Sequence, residues 1–152
     1  MKLIITDWIK NGSITPLNWG DSSEEISHLF SNSSGEIISL KQRHYPFIII
    51  DFVEFYFSDD INFVGLNEII IKPISLYKGI QTKSIDPGWL TQELSFENVS
   101  TKLTELQVHW HIERGPYYDT PNIRTESGQL FAFDPDRMED NDAQLMKIYL
   151  RE

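Results

Sequence analysis

The sequence predicts an α+β fold, with tandem α-β-β(-β) units that form one antiparallel sheet and helices packed on one face. Three observations predict it. The stretch from Phe47 to Pro73 is crowded with Val, Ile, Phe and Tyr on both sides of Ser58-Asp59-Asp60, the pattern of a hairpin. Two helix starts, at Asp21 and Ser95, each precede a strand-rich region. The order of elements in the first half then recurs in the second. The organisation read from this is a single domain over 1–152, with structural repeats 1–75 and 90–152 joined by 76–89.

Taken in order, Leu3, Ile4, Trp8 and Ile9 suit a short helix stopped by Asn11-Gly12, with a first strand as the alternative. Ser13 to Gly20 is a connector punctuated by Pro16 and Gly20. Asp21-Ser22-Ser23-Glu24 reads as a capping box, Asp21 at N-cap and Glu24 at N3. The helix it opens, 22–31, carries Ile26, Leu29 and Phe30 on one face and ends at Asn32-Ser33-Ser34-Gly35. A strand over 36–42 and a turn over 43–46 follow. Asp51 and Glu54 fall on opposite faces of a regular strand, so a bulge or tight turn near Asp51-Phe52 is expected to place both acids outside. Ser58-Asp59-Asp60 reads as the hairpin turn, in a loop slightly longer than the tight primed types because it lacks Gly. Ile61 to Lys72 is the return strand, stopped by Pro73.

Residues 74–95 are the least periodic, with a turn at Asp86-Pro87-Gly88 and an apolar island, Trp89-Leu90, expected to plug into the core. Ser95 caps a helix through Gln107 with Phe96, Val99, Leu103 and Leu106 on its apolar face. Beyond it, Val108 to Glu113 alternates with period two. Trp110 therefore fits either a helical face or a strand. Tyr117-Tyr118-Asp119 lies in an aromatic, acidic loop; 122–126, 129–133 and 143–150 read as strands, with a charged loop over 134–142. The repeat offset is about 76 residues for the strands and about 77 for the helix, and chance likeness between two common α/β units is the competing reading.

Composition narrows the function. The net charge is −10, from 23 acids against 13 bases. Such a surface repels nucleic-acid phosphates and would attract a basic protein, with the solubility of an ordinary acidic protein as the plain alternative. Cysteine is absent, which excludes disulfides and thiolate metal sites. No apolar run has the length a bilayer needs, and Met1 to Asp7 lacks a signal-peptide core, so the expected location is the cytoplasm. There is no G-x-S-x-G and no phosphate-binding Gly loop, so no catalytic residue is assigned, no cofactor is expected and the chain reads as non-enzymatic.

Two sets of residues could bind something. On a strand, His109 and His111 project to one face, and Glu113 joins them as a potential metal set; on a helix the pair splits apart. The larger set is acidic and aromatic: Asp59, Asp60, Tyr117, Tyr118, Asp119, Asp134, Asp136, Glu139 and Asp140, with Asp142 beside them. Tyr anchors supply contact area and carboxylates supply steering toward Lys and Arg. Solvated loops are the plain alternative for any one of them.

A helix-and-strand unit occurring twice resembles the tandem architecture of β-lactamase inhibitor proteins, and one unit is similar to small outer-membrane assembly lipoproteins. Gly12-Ser13-Ile14-Thr15-Pro16-Leu17-Asn18-Trp19-Gly20-Asp21 and Glu54-Phe55-Tyr56-Phe57 resemble small bacterial proteins of toxin-immunity loci, and 125–131 does so loosely. The chain departs from these patterns in having no Cys for a lipid anchor and no Gly turn at Asp51-Phe52-Val53. The resemblance implies a binding protein with a concave sheet face. The expected function is a non-enzymatic immunity protein that neutralises a basic, nuclease-like bacterial toxin by direct binding. The alternatives are a metal- or ligand-binding protein using His109 and His111, and a homo-oligomer assembled on an uncovered strand edge.

Overall fold

The computed structural model describes residues 2–30, 47–80, 82–92, 94–115, 119–134 and 140–152. The strand expected over 36–42 and the turn over 43–46 lie outside them. The elements are β1 (Leu3–Ile4), α1 (Ile5–Asn11), α2 (Ser23–Leu29), β2 (Phe47–Ile50), β3 (Val53–Asp60), β4 (Phe63–Ile71), α3 (Ile74–Tyr77), β5 (Ile85–Asp86), α4 (Phe96–Glu105), β6 (Trp110–Arg114), β7 (Pro121–Thr125), β8 (Leu130–Phe133) and β9 (Leu145–Arg151). The chain is α+β. Among the described residues, seven strands form an antiparallel sheet in the order β2-β3-β4-β9-β8-β7-β6, and β1 and β5 make a separate parallel pair.

The helices cover one face of this sheet. Period-two alternation sends Ile48, Ile50, Val53, Phe55, Phe57, Ile69 and Ile71 from the first half, and Ile123, Phe131, Phe133, Ile148 and Leu150 from the second, into one core. Trp8 and Ile9 of α1, Ile26 of α2, and Phe96, Val99 and Leu103 of α4 close over them. Trp89 and Leu90 join this core, as their apolar island in the sequence suggested. At roughly 25 cal/mol per Å² of apolar area, burial of this kind supplies most of the driving force for the fold.

Both readings of the N-terminus hold in part: Leu3–Ile4 is a strand, and the helix follows directly, closed by Gly12 at φ 66°. The capping box lies one residue later than the sequence suggested. Ser22 is the N-cap, its Oγ accepting from Glu25 N–H at 3.2 Å while the Glu25 carboxylate accepts from Ser22 N–H at 2.7 Å. Asp21 is already committed, since its Oδ2 accepts from Asn18 N–H at 2.8 Å.

Asp51-Phe52 forms a tight turn, Asp51 adopting φ 53°, a conformation Asp tolerates better than most residues. The acids do not both face solvent. Asp51 Oδ2 accepts from the backbone N–H groups of Lys83 (3.1 Å), Ser84 (2.8 Å) and Ile85 (2.8 Å), and so pins the incoming 83–85 segment. Glu54 is only 8% exposed. The next turn also differs from expectation: β3 runs through Asp60, and Ile61-Asn62 makes the turn. Asp60 Oδ1 accepts from Asn62 N–H at 2.8 Å, an Asx turn that replaces the glycine a primed hairpin needs.

The segment expected to be a linker is structured, containing α3, β5 and a 3-10 turn over Gly88–Thr91. Ser95 caps α4, accepting from Asn98 N–H at 3.2 Å, and α4 stops at Glu105, short of the expected Gln107. Gln107 takes φ 60°, which reverses the chain and commits Trp110 to a strand.

Candidate protein-binding surface

The face of the sheet away from the helices carries the alternate residues of the central strands. In the first half these are Phe47, Ile49, Glu54, Tyr56, Glu68 and Ile70; in the second they are Arg124, Leu130, Ala132, Lys147, Tyr149 and Arg151. Phe47 stacks on Tyr56 with ring centroids 5.1 Å apart, and Ile70 lies between Glu54 and Tyr149 in cross-strand register. Glu54 Oε1 pairs with Lys72 Nζ at 2.8 Å, and its Oε2 accepts from Tyr56 Oη at 2.7 Å. A nearly buried carboxylate is tolerated because both oxygens have partners.

At the seam between the halves, Glu68 pairs with Arg151 across β4 and β9. The Arg151 guanidinium also lies 5.3 Å from the Tyr149 ring centroid, a cation–π contact. Burial pushes the Tyr149 phenol above its ordinary pKa, the Glu68 carboxylate adds to the rise, and Arg151 opposes it. Beside this seam, Tyr56, Phe57, Asn67, Glu68 and Arg151 line a cleft of about 260 Å³. It is shallow, and the carboxylate that lines it, Glu68, is tied to Arg151. Such a surface suits contact with another macromolecule better than chemistry on a small one.

The β3–β4 hairpin tip is the second feature, and it combines charge with exposed apolar area. Asp59 and Asp60 are exposed at the end of β3. The turn residue Ile61 is 96% exposed and Val64 is 67% exposed. One exposed Ile is ordinary; two β-branched residues beside two carboxylates on an ordered turn form a compact knob.

Strand register places the acids predicted from sequence at two ends of the sheet. Asp59 and Asp60 sit at the tip end. The β6–β7 connection with Asp119, and the β8–β9 connection with Asp134 and Asp142, leave from the opposite end. Asp119 is exposed and its Oδ1 lies 3.8 Å from Arg114 Nε. Asp134 is half-buried, its N–H donating to Gln144 O at 2.8 Å. Asp140 begins a 3-10 turn over Asp140–Asp142. Tyr117, Tyr118, Asp136 and Glu139 lie outside the described residues.

His109 and His111 flank Trp110 at the opposite edge of the sheet, over a broad depression that also includes Arg124 and Glu126. Glu113, the third member of the proposed metal set, is held by Arg124 Nε at 2.8 Å, which places a guanidinium beside the imidazole of His111. Among the described residues, no group of three or more His, Asp or Glu side chains could hold a metal ion. No described helix is long and apolar enough to cross a membrane.

Sequence reasoning misses the knob because it places Ile61 in the return strand, where the structure has it in the turn; Val64 is a strand residue as expected, and its exposure is not visible in the sequence. It missed the Glu54–Lys72 pair because its partners lie 18 positions apart. No family model matches the chain, and neither a curated protein nor a solved structure matches it significantly.

Proposed function

We propose that this chain is a non-enzymatic protein-binding inhibitor, an immunity protein that neutralises a basic, nuclease-like toxin in the cytoplasm of the producing cell. The observation that carries the reading is the β3–β4 tip, where Asp59 and Asp60 flank the exposed Ile61 and Val64. The net charge of −10 steers a basic partner toward the protein. At the tip the carboxylates pair with Lys or Arg of the partner, and Ile61 enters an apolar pocket as the anchor. Asp119 and Asp134, from the other end of the sheet, belong to the steering field or to a second contact, and Tyr117, Tyr118, Asp136, Glu139 and Asp140 are assigned with them.

The test is association with a purified basic nuclease toxin, measured by interferometry at low and high ionic strength. The wild type should associate markedly faster at low salt. The double variant Asp59→Lys, Asp60→Lys should slow association about tenfold or more. Ile61→Ala should instead speed dissociation by about tenfold, as expected for an anchor residue. Unchanged melting temperatures show that the variants fold. Salt-independent association removes the electrostatic steering, and full binding by both variants removes the tip from the interface.

A further inference from the structure

We infer that β6 is a self-pairing edge, through which two copies of this chain join antiparallel about Ile112 into one continuous sheet. Among the described residues β6 is the last strand on its side of the sheet, and its residues 111–114 are exposed, Ile112 at 47%. The ladder fixes which backbone groups point outward. Glu126 N–H donates to His109 O at 2.9 Å, and Gly115 N–H donates to Thr120 O at 3.3 Å, in line with the β6–β7 register. These bonds make 109↔126 and 115↔120 hydrogen-bonded pairs, so 111↔124 and 113↔122 are hydrogen-bonded pairs too. The N–H and C=O of Trp110 and Ile112 therefore aim away from β7, and among the described residues nothing bonds to them on that side.

The occupant is a second copy because the strand is complementary to itself about Ile112, and less so about either neighbouring residue. A two-fold axis through Ile112 pairs its outward N–H and C=O with those of the other Ile112, an allowed hydrogen-bonded antiparallel pair. On one face His111 then lies opposite Glu113 of the second copy. On the other, the two Ile112 side chains meet, and Trp110 lies opposite Arg114 of the second copy, whose guanidinium Asp119 of its own chain holds. Charged edge residues ordinarily block such pairing. Here they block the alternatives: shifting the axis to His111 sets imidazole against imidazole, and shifting it to Glu113 sets carboxylate against carboxylate. The β3–β4 tip is at the far side of each protomer and stays free, so the inference does not depend on the inhibitor reading.

The absence of cysteine makes the register directly testable. In an Ile112→Cys variant the new thiols face each other across a pair whose Cα separation, about 5.5 Å, suits a disulfide. Mild oxidation should convert most of that protein to a covalent dimer. A His111→Cys variant, whose thiol faces Glu113, should remain monomeric under the same conditions. In sedimentation the wild type should show a concentration-dependent dimer, and Ile112→Pro should be monomeric with unchanged far-UV dichroism, because residue 112 gives no N–H to β7. Should Ile112→Pro lose its fold, Ile112→Lys serves, since it sets two ammonium groups face to face. A monomeric wild type at every concentration, or equal cross-linking by both cysteine variants, overturns the inference.

Discussion

Ser22 and Ser95 each cap a helix, and in each half the carbonyl just before the cap accepts from a leucine N–H of a central strand, Leu66 inside β4 and Leu145 at the start of β9. In the first half Leu66 N–H donates to Asp21 O at 2.8 Å; in the second Leu145 N–H donates to Leu94 O at 2.8 Å. The strand next to each shifts register at the same place, between Tyr56 and Phe57 and between Ala132 and Phe133. Around that shared frame the halves diverge. The first half carries Glu54, Tyr56 and Glu68 on the face away from the helices, Glu54 nearly buried there, and a short acidic, apolar tip. The second presents Leu130, Ala132 and Lys147, adds the edge strand β6, and replaces the tip with a longer connection. The difference teaches where constraint lies: caps, register shifts and core positions agree between the halves, and the surfaces proposed to bind are where they part.

The sharpest way to break the comparison is at the residue before each leucine. Gly65, before Leu66, has φ 101°, and a Cβ there would lie 2.1 Å from Gly20 O. Gln144, before Leu145, bridges to Ser95 with an ordinary backbone. Gly65→Ala should cost about 2–4 kcal/mol, from the left-handed backbone and the clash together. Gln144→Ala, on a half-buried side chain, should fall within about 0.5 kcal/mol. Urea unfolding of the two variants checks this; equal losses would mean that the close approach of Gly65 to Gly20 does not constrain the first half.

Next in size is the open face. Lys72→Met leaves the Glu54 carboxylate without its cation and should destabilise by about 1–3 kcal/mol, less than for a fully buried pair because the Lys72 side chain is a third exposed. Restoring the apolar character of the second half with Glu54→Leu in the same chain should recover most of that loss, since Leu130 occupies the corresponding place. A double-mutant cycle reads the coupling. Additive losses would show that Glu54 does not depend on Lys72.

Much of the frame was legible in the sequence. Apolar alternation located β3, β4, β8 and β9, Ser95 announced α4, and Trp89-Leu90 declared itself core by being apolar in a polar stretch. What was not legible depends on partners distant in sequence. Asp51 looked like an exposed acid because nothing local reveals that the 83–85 backbone arrives to donate to it. Glu54 looked exposed for the same reason. Local ambiguity caused the rest: Asp21 and Ser22 both have capping oxygens, and only the turn to Asn18 decides between them. Ser58-Asp59-Asp60 has turn composition, yet the register carries β3 to Asp60 and leaves Ile61 at the tip. Of the candidate site, the acids were visible and their apolar companions were not.

The smallest effect separates the two caps. Ser22→Ala and Ser95→Ala should each cost about 1 kcal/mol. Their pH dependence should differ, because only the first cap is completed by a carboxylate, with Glu25 at N3 where α4 has Asn98. Hydrogen bonds from the backbone and side chain of Ser22 hold the Glu25 pKa below its ordinary value. A carboxyl whose folded pKa is lowered contributes stability that is present above its unfolded value, near 4.5, and is lost as the pH falls through the folded one. Glu25→Gln should therefore flatten part of the acid limb of the stability curve, and Asn98→Ala should leave the limb's shape unchanged. Chemical denaturation at a series of pH values from neutrality into the acid range makes the comparison. An acid limb identical in wild type and Glu25→Gln would show that the reciprocal bond to Ser22 adds nothing, and that the two helices are held by their serines alone.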